Sequence, residues 1–399
     1  MKPALKDDIA LYPVVVVMGA RQVGKSTLCR ELAGELGFDY RTLDSRDVLE
    51  QALDDPAALL AELGSEGAFI DEVQRAPGLF LAIKEIVDRD RRPGRYLLSG
   101  SNQPRVAGSV GDSLLGRAVY RTLRPLTLSE LRFDETHKGW SFLFSNSENE
   151  VIRELESRSQ GSGQLSWREI VKTGGFPRAV AAPPERRMEM LNGYIEVFAQ
   201  RDIRELIGIE SSERFEAFVR LTAARTGQEL NYSGISRDLG ASVANVRRWF
   251  DALQRSYLVE TVPPYSRNAG QRVIKSPKIF MVDVALSLAA AREPEPTGFH
   301  LETLVAADLA VWRDSAPSRA LHHWRLGTGQ EVDFILEENR KLLPVEVKST
   351  STAETGDTRH LVRFRELHAN ALRGVLLTSD PNIRVLKSGV ICAPWWAVI

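Results

Sequence analysis

The chain has 399 residues, 43% of them hydrophobic and 26% charged, with 52 Lys and Arg against 53 Asp and Glu. This length implies more than one domain and the composition a folded globular protein, while a formal net charge of -1 excludes a whole-molecule field that would draw it to nucleic acid or anionic membrane. Cys29 and Cys392 are too few for a disulfide framework, and no run of about 18 apolar residues reads as a membrane span, so the sequence reads as cytoplasmic with no membrane partner.

Ile9 to Ala20 reads as one apolar stretch feeding a buried strand, with the β-branched run Val14 to Met18 typical of a parallel sheet covered on both faces. It leads into Gly19-Ala20-Arg21-Gln22-Val23-Gly24-Lys25-Ser26-Thr27, a match to G-x-x-x-x-G-K-S/T, and then into helical sequence from Leu28 to Leu36. Strand, glycine loop and helix in this order make a phosphate cradle. The glycines let backbone N–H groups curl around phosphate, the helix N-terminus adds positive potential, Lys25 reaches the terminal phosphates and the Ser26 hydroxyl ligates magnesium.

Phe38 to Leu43 reads as another strand, and Asp55-Pro56 starts a helix through Leu63. Gly67-Ala-Phe-Ile-Asp71-Glu72 is a short apolar strand ending in two acids, in the manner of a Walker B segment. Asp71 then holds magnesium through its water shell while Glu72 orients or deprotonates the attacking water. Tyr96 to Asn102 is a further strand whose polar end supplies Ser99, Ser101 and Asn102 as alternative γ-phosphate sensors. Arg117, before the strand Val119 to Leu123, reads equally as an arginine finger or as a surface residue, and Arg201 as a second sensor or a helix-surface arginine.

Beyond Glu130 the pattern loosens. Ser145 to Ser166 reads as a solvated insertion or hinge, Gly174-Gly-Phe-Pro177 as a turn, and Glu185 to Leu206 as helix. Residues 213 to 225, 233 to 239 and 243 to 255 read as three helices, the last with Val243, Val246, Phe250 and Leu253 on its inner face. Asn245, Arg247, Arg248 and Trp249 then face outward. Tyr257 to Val262, a Pro-Pro turn, a segment with Arg267 and Arg272, and Lys278 to Val282 complete a winged helix-turn-helix, which either contacts double-stranded DNA or serves as an interdomain spacer.

After the break at Glu293 to Pro296, Leu301 to Trp312 reads as a helix carrying Glu302. Gln330 to Leu336 and Leu342 to Lys348 alternate as a hairpin, so Glu331 and Asp333 share one face of the first strand and Glu346 and Lys348 one face of the second, and a suitable register brings them together. Two carboxylates holding a divalent ion, with a lysine to orient water, are what phosphodiester cleavage requires. Asp, turn, then Glu-x-Lys resembles the PD-(D/E)XK nuclease signature, with Glu302, Asp333, Glu346 and Lys348 the matching positions. Trp395 and Trp396 read as core.

Taken in order, these motifs resemble a prokaryotic group of AAA-like P-loop ATPases whose C-terminal half is known only as a domain of unknown function. The resemblance covers Val14 to about Leu377. It implies an α/β fold: an AAA-like parallel sheet with helices on both faces (residues 1–130), a helical lid and flexible insertion (131–206), a winged helix-turn-helix (207–290) and a restriction-endonuclease-like domain (291–399). It also implies ATP rather than GTP, with Mg2+. An arginine finger acting in trans would make the protein a homo-oligomer, and a nuclease-like domain that has lost its chemistry would bind a protein partner instead of cutting DNA. The helix before the first strand is shortened relative to that group, and the insertion at Ser145 to Ser166 is longer.

Overall fold

The computed structural model describes residues 1–102, 114–133, 139–161, 166–202, 212–266, 276–327 and 329–399, and leaves the side chains of residues 161, 201, 202 and 212 outside the description. Two units divide it: residues 1–124 with 255–257, and residues 125–254 with 258–399.

The first unit opens on helix α1 (Lys2–Leu11), so Ile9 to Leu11 belong to a helix rather than to the expected strand. The helix wins because Leu5 and Ile9, four residues apart, bury one stripe. Lys2 and Lys6 pair with Glu31 and Glu35, and Asp8 receives both arms of the Arg121 guanidinium at 2.6 and 2.8 Å. The strands that follow are β1 (Val14–Met18), β2 (Asp39–Thr42), β3 (Ala68–Asp71), β4 (Tyr96–Gly100) and β5 (Ala118–Thr122). They pair in parallel in the order β2-β3-β4-β1-β5. Every residue of β1 is buried, because helices cover both faces: α2 (Lys25–Leu36) packs over Val15, Val17 and Phe69, and α5 (Gly78–Arg89) over Val14, Val16 and Ile70. Between them lie α3 (Arg46–Asp54) and α4 (Pro56–Ala61), the latter capped by the Asp55 carboxylate accepting from Ala58 N at 2.9 Å.

The second unit starts with α6 (Leu128–Leu131) and α7 (Glu148–Gly161). The latter corrects the reading of Ser145 to Ser166 as a solvated hinge. Val151 and Leu155, one helical turn apart, are buried in the core with Trp140 and Leu143, and burying two such side chains stabilises the segment by roughly 3–5 kcal/mol. Then come α8 (Trp167–Thr173), α9 (Pro177–Ala181), α10 (Pro184–Val197), a π turn at Phe198–Asp202, and α11 (Ser212–Ala223), α12 (Tyr232–Leu239) and α13 (Val243–Arg255). The Gly-Gly-Phe-Pro turn is a seam. A Cβ on Gly174 would sit 2.6 Å from Asp283 Oδ1 and one on Gly175 2.2 Å from Leu126 O, so only glycine allows this approach. Asp283 accepts from Gly175 N at 2.6 Å and caps α14 (Val284–Ala291) through Leu286 N at 2.8 Å.

Strands β6 (Val259–Val262) and β7 (Lys278–Met281) form an antiparallel ribbon. Arg267 and Arg272, expected in the segment that joins them, lie outside the described residues. Helix α15 (Gly298–Asp314) then packs on a six-stranded mixed sheet of order β12-β13-β11-β10-β9-β8, where β8 is Arg319–Leu326, β9 Gln330–Glu338, β10 Lys341–Val347, β11 Val375–Thr378, β12 Arg384–Val385 and β13 Ile391–Pro394. The residues of β9 sort to the two faces, with alternation broken where β9 carries one extra residue against β8 between Val332 and Ile335. Phe334 and Leu336 meet Leu301, Val305 and Leu309 of α15, while Val332 and Ile335 meet Leu361 and Phe364 of α16 (Arg359–Leu367) on the other face. Asn339 and Arg340 both take positive φ (51° and 65°), the two-residue turn that matches strand twist and closes the β9–β10 hairpin. Trp395 and Trp396 are core residues, as expected.

Candidate functional site

The loop from Gly19 to Gly24 leaves the carboxyl end of β1, an inner strand of the parallel sheet, where open α/β sheets place ligands. Its path is set by backbone: Gly19 has φ 153°, Gln22 φ 62° and Gly24 φ 98°, and a Cβ on Gly19 would fall 2.2 Å from Leu123 O. Ala20 and Val23 are buried and anchor the loop, Arg21 and Ser26 are half-buried, and Gln22 and Thr27 are exposed. Lys25 is buried at the first turn of α2, its ammonium donating to Gly19 O at 3.0 Å and Ala20 O at 2.9 Å. Burial draws its pKa down, against the pull of Glu72 and Asp71.

Asp71 ends β3 and accepts a hydrogen bond from the Ser99 hydroxyl at the end of β4. Glu72 sits in the left-handed region at φ 60°, which turns its carboxylate toward Gln74 and Ser101. The Gln74 amide donates to Glu72 and, at 3.0 Å, to Ser101 Oγ, while Ser101 N donates back to Gln74 Oε1 at 3.3 Å. Ser99 and Ser101 therefore touch the acid pair directly, and Asn102 is half-buried beyond them. Gln74 was not legible in the sequence; its spacing of two residues after Glu72 carries no chemical signal. The residues present suit a nucleotide with magnesium: a cradle of backbone amides, a buried lysine, a hydroxyl and a carboxylate held by a neutral donor.

Arg117 requires a correction. It precedes Ala118, which pairs with Val14 at the amino end of β1, and Arg117 O accepts from Val14 N. The guanidinium therefore lies at the opposite end of the sheet from the P-loop, roughly 15 Å away for a five-residue strand, and pairs with Asp88 at 2.5 Å. It cannot serve as a finger for its own chain's nucleotide. The side chain of Arg201 falls outside the described set.

The second constellation lies wholly within the second unit. Antiparallel pairing of β9 with β10 runs as far as Phe334 opposite Val345, which brings the next residues, Asp333 and Glu346, near one another, and Glu302 comes to them from α15. Asp333 Oδ2 accepts from Val347 N at 3.0 Å, and Lys348 Nζ donates to Glu346 Oε1 at 3.1 Å. All four residues singled out by the Glu-x-Lys pattern thus converge. A fifth was missed: the β7 lysine, Lys278, places its ammonium 2.6 Å from Glu331 Oε1, 3.0 Å from Asp333 Oδ1 and 3.7 Å from Glu302 Oε2. A buried-strand run, Lys278-Ile-Phe-Met, that opens on a lysine was the available clue. Burial alone would lower the Lys278 pKa, but Asp333, Glu302 and Glu331 together raise it, so it stays protonated. Burial and then Asp333 push Glu302 well up and Glu346 up to about 8. Beside this cluster a cavity of about 510 Å³ is lined by Arg225, Gln228, Asn231, Phe299, Arg325 and Glu331. Among the described residues no group of three or more His, Cys, Asp or Glu side chains is arranged to hold a metal ion.

On α13, Asn245, Arg247 and Arg248 are exposed, with Arg247 over the Tyr232 ring at 5.1 Å. Trp249, expected to face outward, is buried with its ring 5.5 Å from Phe218, while Val243, expected inside, is exposed. The helix rolls because the bulky indole gains more from the aromatic pocket of α11 than valine would.

Residues 11–132 match an AAA domain, residues 164–297 a domain of unknown function (DUF8612) and residues 297–398 another (DUF4143). Over 352 residues the chain is 30% identical to Uncharacterized protein Rv2008c of Mycobacterium tuberculosis, covering 85% of this chain and 71% of that protein, and it matches Mb2031c of Mycobacterium bovis to the same extent. Among solved structures, a Walker-type ATPase of Pyrococcus abyssi is 15% identical with a TM-score of 0.41, covering 72% of this chain and 94% of that one. RuvB of Thermotoga maritima is 16% identical with a TM-score of 0.31, covering 69% and 93%. Likenesses this distant add nothing to the AAA match and the P-loop geometry. Among the described residues no helix is long and apolar enough to cross a membrane. The chain belongs to the family of these uncharacterized mycobacterial proteins, with an AAA-type P-loop ATPase domain at its head and two domains of unknown function behind it.

Proposed function

We propose that this protein is a magnesium-dependent ATPase that couples its nucleotide state to a C-terminal half that contacts nucleic acid. The observation that carries the enzymatic part is the pairing of a buried Lys25, held on the P-loop carbonyls, with Asp71 and Glu72 fixed by Ser99, Ser101 and Gln74. Lys25 exchanges its two carbonyl partners for terminal phosphate oxygens, and the amides from Gly19 to Gly24 hold the remaining phosphates. Ser26 and Asp71 are the residues that hold magnesium, whose chemistry is to neutralise charge developing on the phosphates. Glu72 orients the attacking water, and the Gln74 amide and Ser101 hydroxyl keep its carboxylate aimed. An arginine finger, if one acts, comes from a second copy, which makes a homo-oligomer part of the proposal.

For nucleic acid the supporting features are local: Asn245, Arg247 and Arg248 exposed on α13, and a cavity edged by Arg225 and Arg325. Both arginines at the cavity already pair, with Asp238 and Glu229, so a phosphate has to compete for them. The test is ATP hydrolysis with and without single- and double-stranded DNA, comparing wild type with Lys25→Ala and Glu72→Gln. DNA stimulation lost in both variants supports the coupled machine; absence of any salt-sensitive DNA affinity, with or without ATP, removes the nucleic-acid part.

A second reading is favoured by Lys278 among the acids: a nucleotide-driven switch whose nuclease-like domain is inert and binds a protein partner. Magnesium-dependent cleavage by wild type that Asp333→Ala abolishes would decide against it, and an equally inert wild type would favour it.

A further inference from the structure

The acid cluster of the second unit does not fit a divalent ion as it stands. A metal held by Asp333 and Glu302 needs oxygen ligands within about 2.0–2.6 Å of its centre. The Lys278 ammonium already stands among those oxygens, in contact with Glu331 and Asp333 and 3.7 Å from Glu302. Two cations cannot share such a space: the ammonium blocks it sterically and repels a second positive charge.

Lys278 cannot easily retire to solvent either. Its side chain is only 3% exposed, and its backbone is pinned from both sides. On one side it pairs with Val262 of β6, and on the other it bridges to Glu229. The flanking residues add Leu230 N to Pro277 O at 2.8 Å and Ile279 N to Gln228 O at 2.9 Å. Moving the ammonium means moving a strand. Meanwhile Glu302 Oε2 and Glu346 Oε2 are buried with no hydrogen-bond partner among the described residues, so the cluster retains lone pairs for a metal ion once the ammonium is gone.

We propose that Lys278 is the resident cation of the Glu302, Glu331 and Asp333 site, an internal ammonium standing where a nuclease-like centre would hold its divalent ion. Metal enters only when Lys278 is removed or β7 withdraws. In the arrangement seen, the cluster ties the β6–β7 ribbon to α15 and β9 as an ion-paired knot and does not activate water. The proposal is independent of the ATPase reading and stands or falls whether or not the P-loop hydrolyses nucleotide.

The test uses the full chain without nucleotide and titrates Mn2+, reading free ion by electron paramagnetic resonance. Wild type is expected to show no Mn2+ site that Asp333→Asn removes. Lys278→Met is expected to gain one site at least 10-fold tighter than anything in wild type, and the added Asp333→Asn change to abolish it. In EDTA the Lys278→Met melting temperature falls, and Mn2+ restores several degrees. An Asp333-dependent Mn2+ site in wild type overturns the proposal, as does a folded Lys278→Met chain that takes up no Mn2+. Lys278→Gln serves if the methionine variant does not fold. Should neither fold, wild type decides: an Asp333-dependent site refutes the proposal, whereas its absence with a lowered melting temperature in Asp333→Asn supports it.

Discussion

Both acid sites of this molecule carry a buried lysine, yet the two lysines are used in opposite ways. In the P-loop unit, Lys25 donates to backbone carbonyls, while Asp71 and Glu72 are held by hydroxyls and an amide. In the C-terminal unit, Lys278 sits directly on Glu331 and Asp333. A carboxylate oriented by neutral donors keeps its charge for an incoming cation; one paired with an ammonium has already spent it. The same residue types thus build, in one place, carboxylates left open for the magnesium of the proposed ATPase and, in the other, a closed ion pair.

The largest expected effects lie at the first site. Lys25→Ala removes ATP binding and hydrolysis together, whereas Glu72→Gln lowers kcat at least 100-fold while leaving ATP binding nearly unchanged. Phosphate release and nucleotide titration separate these, and equal loss of binding in both would undo the roles assigned here. At the second site, Lys278→Met leaves buried carboxylates facing each other and costs about 3–5 kcal/mol in urea unfolding, whereas Lys348→Met, at a half-buried pair with Glu346, costs clearly less. Reversal of that order would show that Lys278 is not the keystone.

A pH experiment sharpens the contrast between held and paired acids. Asp308 is buried, with Trp140 Nε1 donating to it at 2.7 Å, and burial pushes its pKa up to about 6. A raised acid favours the fold while it is protonated, so this contribution is fully present below the unfolded value near 4 and is lost as pH rises through about 6. Asp308→Asn is therefore expected to match wild type at pH 3.5 and exceed it at pH 8 by up to about 3 kcal/mol in urea melts. An advantage at pH 3.5 as large as at pH 8 would contradict the cause. The smallest effect is expected from Arg117→Ala: less than twofold on hydrolysis at concentrations where the chain is monomeric, because its guanidinium lies at the far end of the sheet.

What could be read from the sequence follows the range of the forces involved. The P-loop was legible because cradle, lysine and hydroxyl must be contiguous in the chain, and the Glu-x-Lys hairpin because alternation along a strand fixes which side chains share a face. Arg117 was misplaced because spacing along the chain does not say at which end of a sheet a residue lies. Trp249 was put outside because helical periodicity leaves a boundary position to whichever neighbour offers a pocket, here Phe215 and Phe218. The polar letters of Ser145 to Ser166 hid the Val151 and Leu155 stripe of α7. Lys278 was the hardest, since the acids that explain it lie 24 to 55 residues further along the chain and meet it only through β7, β9 and α15.

The most direct test of the contrast is a count of Mn2+ ions bound by the wild-type chain with a non-hydrolysable ATP analogue present. The account predicts one ion per chain, dependent on nucleotide, lost in Asp71→Asn and untouched by Asp333→Asn. A second ion that needs no nucleotide and disappears in Asp333→Asn would show that the C-terminal acids are open to metal, and the distinction between the two sites would fail.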